Sequence, residues 1–183
     1  MLAFQWHKTS TTARLLATAF YVTMAAGYVV ALVNAKIKTG GTFAGLVSHY
    51  RGAPDGSAYP KEPAELIEVA HAHSFSVPMM YLLLGALFLG TTMREAWKRW
   101  WILMPFLGIA IDQTIPWLVR YQAPGWACVM IAGHALSGVA FLVLIGVPLR
   151  QMWGRRGACG HGESCPAASM ERPPVSGLTG GNQ

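Results

Sequence analysis

The sequence predicts an all-α, polytopic membrane protein folded as a four-transmembrane-helix up-down bundle, and three observations carry that prediction. Apolar residues make up 53% of the 183 residues and charged ones only 12%, a balance far from that of a water-soluble domain. The apolar residues are gathered into four blocks, at about 14–35, 69–91, 100–120 and 125–148, each near the ~20 residues that a helix needs to cross hydrocarbon. None of the blocks alternates in the manner of a barrel strand, and lipid offers no partner to an unpaired backbone, so helices are the spanning structure left.

Taken in order, residues 1–13 read as a short cytoplasmic N-terminus. Lys8 and Arg14 ahead of an apolar run also fit a secretory signal. The run from Leu15 to Val33 has spanning length, however, and VNAKIKTGG offers only a poor small-residue cleavage pattern at Ala35, so a retained first span is expected. The extracytoplasmic segment 36–68 follows. Within it TFAGLVSHYRG predicts a short helix on the membrane surface, with Phe43, Leu46, Val47 and Tyr50 on one side, which the turn-rich APDGSAYP ends. The second membrane helix is expected to start near Pro63, since proline suits a first helical position and Glu62 and Glu65 suit the positive end of a helix dipole.

TTMREAWKRWW makes a short turn with aromatic anchors, and QAPG at 122–125 makes a tight hairpin between the third and fourth spans. Nine basic residues (Lys8, Arg14, Arg94, Lys98, Arg99, Arg150, Arg155, Arg156 and Arg172) fall on one side of the spans, and five (Lys36, Lys38, Arg51, Lys61 and Arg120) on the other. The positive-inside rule then places both termini in the cytoplasm of a multi-pass protein of the bacterial inner membrane. The net charge of +6 is anchoring charge against anionic lipid, with no basic stripe for a nucleic acid. Residues 14–153 form the membrane domain; from 154 the Gly-, Pro- and Ser-rich composition predicts a disordered cytoplasmic tail. Cys159, His161 and Cys165 in that tail are three soft-metal ligands without the paired spacing of a zinc module.

Ionisable residues inside a span are costly unless paired, and so point to function. Asp112 lies eleven residues before Ala123 in the hairpin and His134 eleven after; at about 1.5 Å per residue both stand some 16 Å from the turn and face each other. On the second helix, His71 and His73 follow Glu68. The two histidines diverge by about 200° on a helix, so only one points into the bundle. Spacing does not decide which.

Facing imidazoles from separate helices are the axial clamp of a haem b. His73 or His71 with His134 would supply it, Asp112 would hold the His134 imidazole by hydrogen bonding, and Arg51, Lys38 and Arg120 would meet the propionates. Gly133 and Gly138 beside His134 leave room for a macrocycle, although small residues also serve close helix packing. The same side chains, Glu68, His71, His73, Asp112 and His134, with His49 from outside, mix imidazole and carboxylate in a way that suits a divalent metal such as zinc or copper. A proton relay through histidine and aspartate is a third use, and a purely structural role for the histidines a fourth. No nucleophile, base and oxyanion group assemble for hydrolytic or group-transfer catalysis.

HYRGAP followed by YPKEPAELIEVAHAHSFSVPMMYLLLGALF resembles poorly characterised bacterial inner-membrane proteins with four spans, sometimes associated with c-type cytochromes, over roughly residues 40–150. More generally the pattern resembles small four-helix b-type membrane cytochromes. The resemblance implies an electron-transfer context without naming a reaction; the expectation built on the histidines is one haem b near the outer face passing electrons between a quinone or periplasmic cytochrome and a partner subunit or oligomer. With three intramembrane histidines the chain departs from the two-haem members of that class, and one bis-histidine haem is the most it allows.

Overall fold

The computed structural model describes Trp6 and residues 9–154. The expectations for the Cys159, His161 and Cys165 tail, for the rest of the N-terminus, and for Lys8, Arg155, Arg156 and Arg172 fall outside the described residues. Five helices are present and, among the described residues, no strand: α1 (Thr11–Thr39), α2 (Phe43–Arg51), α3 (Pro63–Phe88), α4 (Glu95–Tyr121) and α5 (Trp126–Trp153).

Local chemistry sets the helix ends. The Ser10 side chain accepts from the Ala13 amide at the start of α1, and Gly40, at φ 62°, closes it in the left-handed conformation that glycine adopts without steric penalty. The helix therefore runs past the predicted end near residue 35 and carries Lys36 and Lys38 in its last turn. The Thr42 hydroxyl caps α2 through the Gly45 amide. Pro63 opens α3, with Glu62 and Glu65 in a reciprocal capping box.

Helices α4 and α5 make the most extensive contact, α3 packs chiefly on α4, and α2 crosses α4 and α5 at the end joined by the 122–125 hairpin, which is the outer end of the predicted topology. Two glycines allow the α4–α5 approach. A Cβ on Gly108 would collide with the Ser137 side chain, and one on Gly133 would stand 2.7 Å from Ile111 Cγ2. The apolar core has two parts. The inner one gathers Trp6, Tyr21, Tyr81, Leu84, Phe88, Phe141 and Leu144; the outer one gathers Leu46 of α2 with Ile115, Val119, Ala127 and Met130. The predicted surface helix thus buries Leu46 against α4 and α5.

Three helices, α1, α4 and α5, are long and apolar enough to cross a membrane. Helix α3, at 26 residues, has the length but is not among them. Its outer half carries Glu65, Glu68, His71, His73, Ser74 and Ser76, which dilute the apolar character that its inner half, from Met79 to Phe88, provides.

Candidate functional site

Asp112 and His134 come together across the α4–α5 seam. His134 Nε2 and Asp112 Oδ1 are 2.8 Å apart, and the pair shares a proton: either Nε2–H donates to the carboxylate, or a protonated carboxyl donates to a bare Nε2. Along α5, His134 lies between Met130 of the outer core and Phe141 of the inner one, so the pair is a polar layer between two apolar clusters. It is not sealed. The His134 side chain is 52% exposed and that of Asp112 31%.

The register of α3 against α4 is fixed by the neighbour of Asp112. Gln113 Nε2 donates to the Ala70 carbonyl and to Ser74 Oγ, both at 3.1 Å. Residues 70–74 of α3 are therefore level with Asp112 and His134, which brings His73 to their depth. His73 is half-buried and sits on the helix face of Leu66, Val77 and Leu84. Its Nδ1 is 2.8 Å from the Val69 carbonyl; a carbonyl only accepts, so Nδ1 carries a hydrogen, and Nε2 is the nitrogen turned away from the main chain. His71 is exposed and stands edge-on to Phe75, ring centroids 5.4 Å apart. Of the two neighbouring histidines, His73 is the one on the bundle side.

The remaining expected residues lie elsewhere. Glu68 is exposed. Arg51 donates to the Val119 carbonyl at 3.0 Å and to that of Arg120 at 3.5 Å, which ties α2 to the outer end of α4. Arg120 donates to the Lys61 carbonyl at 3.0 Å and lies over the Tyr121 ring. Both arginines hold backbone carbonyls that a propionate would have to compete with. Among the described residues no group of three or more His, Cys, Asp or Glu could hold a metal ion; Glu68, His71, His73, Asp112 and His134 do not gather around one point.

The haem arrangement differs from expectation in one atom. An axial histidine presents Nε2 to iron and offers Nδ1 to a carboxylate or carbonyl. His73 has that form, whereas His134 has the reverse: Asp112 occupies Nε2, and the nitrogen left over is Nδ1, next to the main chain. The bis-histidine clamp does not fit the side chains as they are held. Tyr50 and Gln113 have no place in the sequence-based site. Gln113 is the residue that sets the register, and a glutamine beside an intramembrane aspartate was the available signal. Tyr50 lies near enough to Asp112 for the carboxylate to add to burial in raising its phenol to about 12.

The dyad, Gln113 and His73 all lie within a stretch that matches a known family over residues 40–159. The chain belongs to the Aq_1264_TM family, a transmembrane helical domain. It is an integral membrane protein in contact with the lipid bilayer. The family domain begins just beyond α1 and takes in α2 to α5. No curated protein and no solved structure matches the chain.

Proposed function

We propose that this protein is a four-span component of an electron-transfer assembly in the bacterial inner membrane, both termini in the cytoplasm, and that the Asp112–His134 dyad exchanges a proton in the outer half of the bilayer. The fourth span is α3, whose 26 residues reach about 39 Å against a ~30 Å hydrocarbon core. Its polar outer half is partly matched by protein and by its own backbone: Gln113 binds Ala70 and Ser74 there, and His73, Ser74 and Ser76 bond to carbonyls one turn back. Nine basic residues against five support the orientation.

The observation that carries the reading is the 2.8 Å bond between His134 Nε2 and Asp112 Oδ1 between two apolar clusters. An imidazole in that position takes a proton at Nδ1 while passing one from Nε2, needing only small atomic shifts. The resemblance to redox-associated inner-membrane proteins supplies the context, with a quinone or cytochrome as exchange partner.

A second reading rests on His73. Its Nδ1–H tied to Val69, with Nε2 turned away from the main chain, is the form of a histidine prepared for a metal or haem b. This reading takes one ligand from α3 and needs Asp112 to leave His134 before α5 supplies another.

Two measurements test the pair of readings on protein in mild detergent. In nitrogen NMR, a His134 imidazole hydrogen-bonded through Nε2, whose signals move on Asp112→Asn, is the result expected for the dyad; unchanged signals would overturn it. A reduced-minus-oxidised haem spectrum or stoichiometric zinc or copper that disappears in both His73→Ala and His134→Ala would instead establish the cofactor reading.

A further inference from the structure

The last turn of α1, helix α2 and residues 58–65 form the walls of an open cavity of about 800 Å³, within the ~300–1,000 Å³ of ordinary ligand sites. The walls are fixed to one another. A Cβ on Gly45 would collide with the Thr39 carbonyl, so α1 and α2 meet backbone to backbone. The Lys61 amide donates to the Tyr50 carbonyl at 3.0 Å, and Arg120 donates to the Lys61 carbonyl at 3.0 Å, which pins the third wall to α2 and α4.

Two opposite charges face this space without a partner in it. Lys61 Nζ is 2.6 Å from Glu65 Oε1, a pair already closed. Lys38 and Glu62 line the same cavity, and among the described residues neither forms an ion pair. Glu62 gives one bond to the Glu65 amide and keeps acceptor capacity on its carboxylate. Ser48 and His49 of α2 add neutral donors to the lining; burial, Lys61 and Lys38 all disfavour a proton on His49. The depth is that of lipid headgroups. Helix α1 has spanning length and hydropathy and carries Lys36 and Lys38 in its last turn, and Tyr59, another lining residue, is 87% exposed, as an interfacial ring is.

We infer that this cavity binds the headgroup of a zwitterionic aminophospholipid, its phosphate on Lys38 with Ser48 and His49 and its ammonium on Glu62. An anion alone would meet the Glu62 carboxylate, and a cation alone the Lys38 ammonium; a ligand with one charge of each sign matches both. A trimethylated ammonium has no N–H for Glu62, and a glycerol headgroup has no cation. The bilayer in contact with α1 supplies such a lipid at this depth, where its acyl chains stay in hydrocarbon beside the exposed residues 29–37.

The test places full-length protein in nanodiscs of equal parts phosphatidylethanolamine, phosphatidylcholine and phosphatidylglycerol and releases it for native mass spectrometry, which identifies the lipid retained. The ethanolamine lipid is expected in about tenfold excess over each of the others, the size of one charge-assisted hydrogen bond. Lys38→Gln should lower retention of all three by about tenfold, whereas Glu62→Gln should erase the preference and leave retention of the glycerol lipid in place. Both side chains are exposed, so neither change empties the core. In detergent micelles, dihexanoyl phosphatidylethanolamine should also raise the pH at which the His49 ring signals titrate, because a phosphate beside the imidazole favours its proton. Equal retention of the three lipids, or a preference that survives both variants, overturns the site. O-phosphoethanolamine, the same headgroup without tails, moving His49 as strongly as the lipid would overturn the lipid as occupant and assign the cavity to a soluble zwitterion.

Discussion

His49 and Tyr50 stand edge to face, ring centroids 5.0 Å apart, at the outer end of the bundle. Burial lowers the affinity of His49 for a proton, Lys61 and Lys38 add to that effect, and Glu65 opposes it. Unfolded, His49 takes a proton near 6.5; folded, it does so only at lower pH. Between those values the unfolded chain binds more protons, so the stabilisation present above about pH 6.5 is lost as pH falls through the folded value. Thermal unfolding in detergent should therefore show a wild-type advantage over His49→Gln that shrinks on acidification from about pH 7.5 to about 5.5; a difference independent of pH would remove His49 from the account. Arg51→Ala should cost about 1–3 kcal/mol, because the Val119 carbonyl loses a charged donor, and Arg51→Lys should recover only part, measured as the shift in unfolding midpoint. The meeting of Asp112 with His134 was legible in the sequence, since equal counts from one hairpin fix two depths. The nitrogen that Asp112 holds was not legible, because it depends on side-chain torsions that no spacing encodes. Nor was the choice between His71 and His73, which waits on the rotation of α3 that Gln113 imposes.

At the scale of the helix pair, Gly133 and Gly108 set how closely α4 and α5 approach, and that approach sets the 2.8 Å bond of the dyad. Gly133→Leu should push Ile111 away, destabilise by about 1–3 kcal/mol as overpacking does, and change the His134 nitrogen signals, since Gly133 and Ile111 are the chain neighbours of His134 and Asp112. An unchanged signal in a destabilised protein would separate packing from the dyad. The starts of α2 and α3 follow from Thr42 and from Pro63 with its flanking glutamates, all local signals. The placement of α2 is less local. An amphipathic stretch with Leu46, Val47 and Tyr50 on one side suits a membrane surface as well as a protein surface, and the exposed ends of α4 and α5 decide between them. Phe43 remains exposed, the part of that face left to lipid. For α3, length argued for a span and composition diluted it; the polar outer half is matched by Gln113 and the capping box, neither of which a hydropathy window registers.

For the molecule as a whole, the helical membrane class was legible because lipid leaves the backbone so few options. The separation of α1 from the family domain was legible only in that the resembling stretch begins near residue 40, because the apolar run of α1 is like the other spans in everything but what it packs against. Orientation is open to direct measurement: reporter fusions after Arg99 and after Arg156 should both report a cytoplasmic location, and an extracytoplasmic signal from either would reverse the arrangement. Trp6 bears on the order of assembly. Its indole donates to the Leu87 carbonyl and its amide to that of Gly90, while Trp153 donates to Thr18 and Tyr28 rests on Phe141. The ties of Trp6 can thus form once α3 is made, whereas those of Thr18 and Tyr28 wait for α5, so the docking of α1 is completed in two stages.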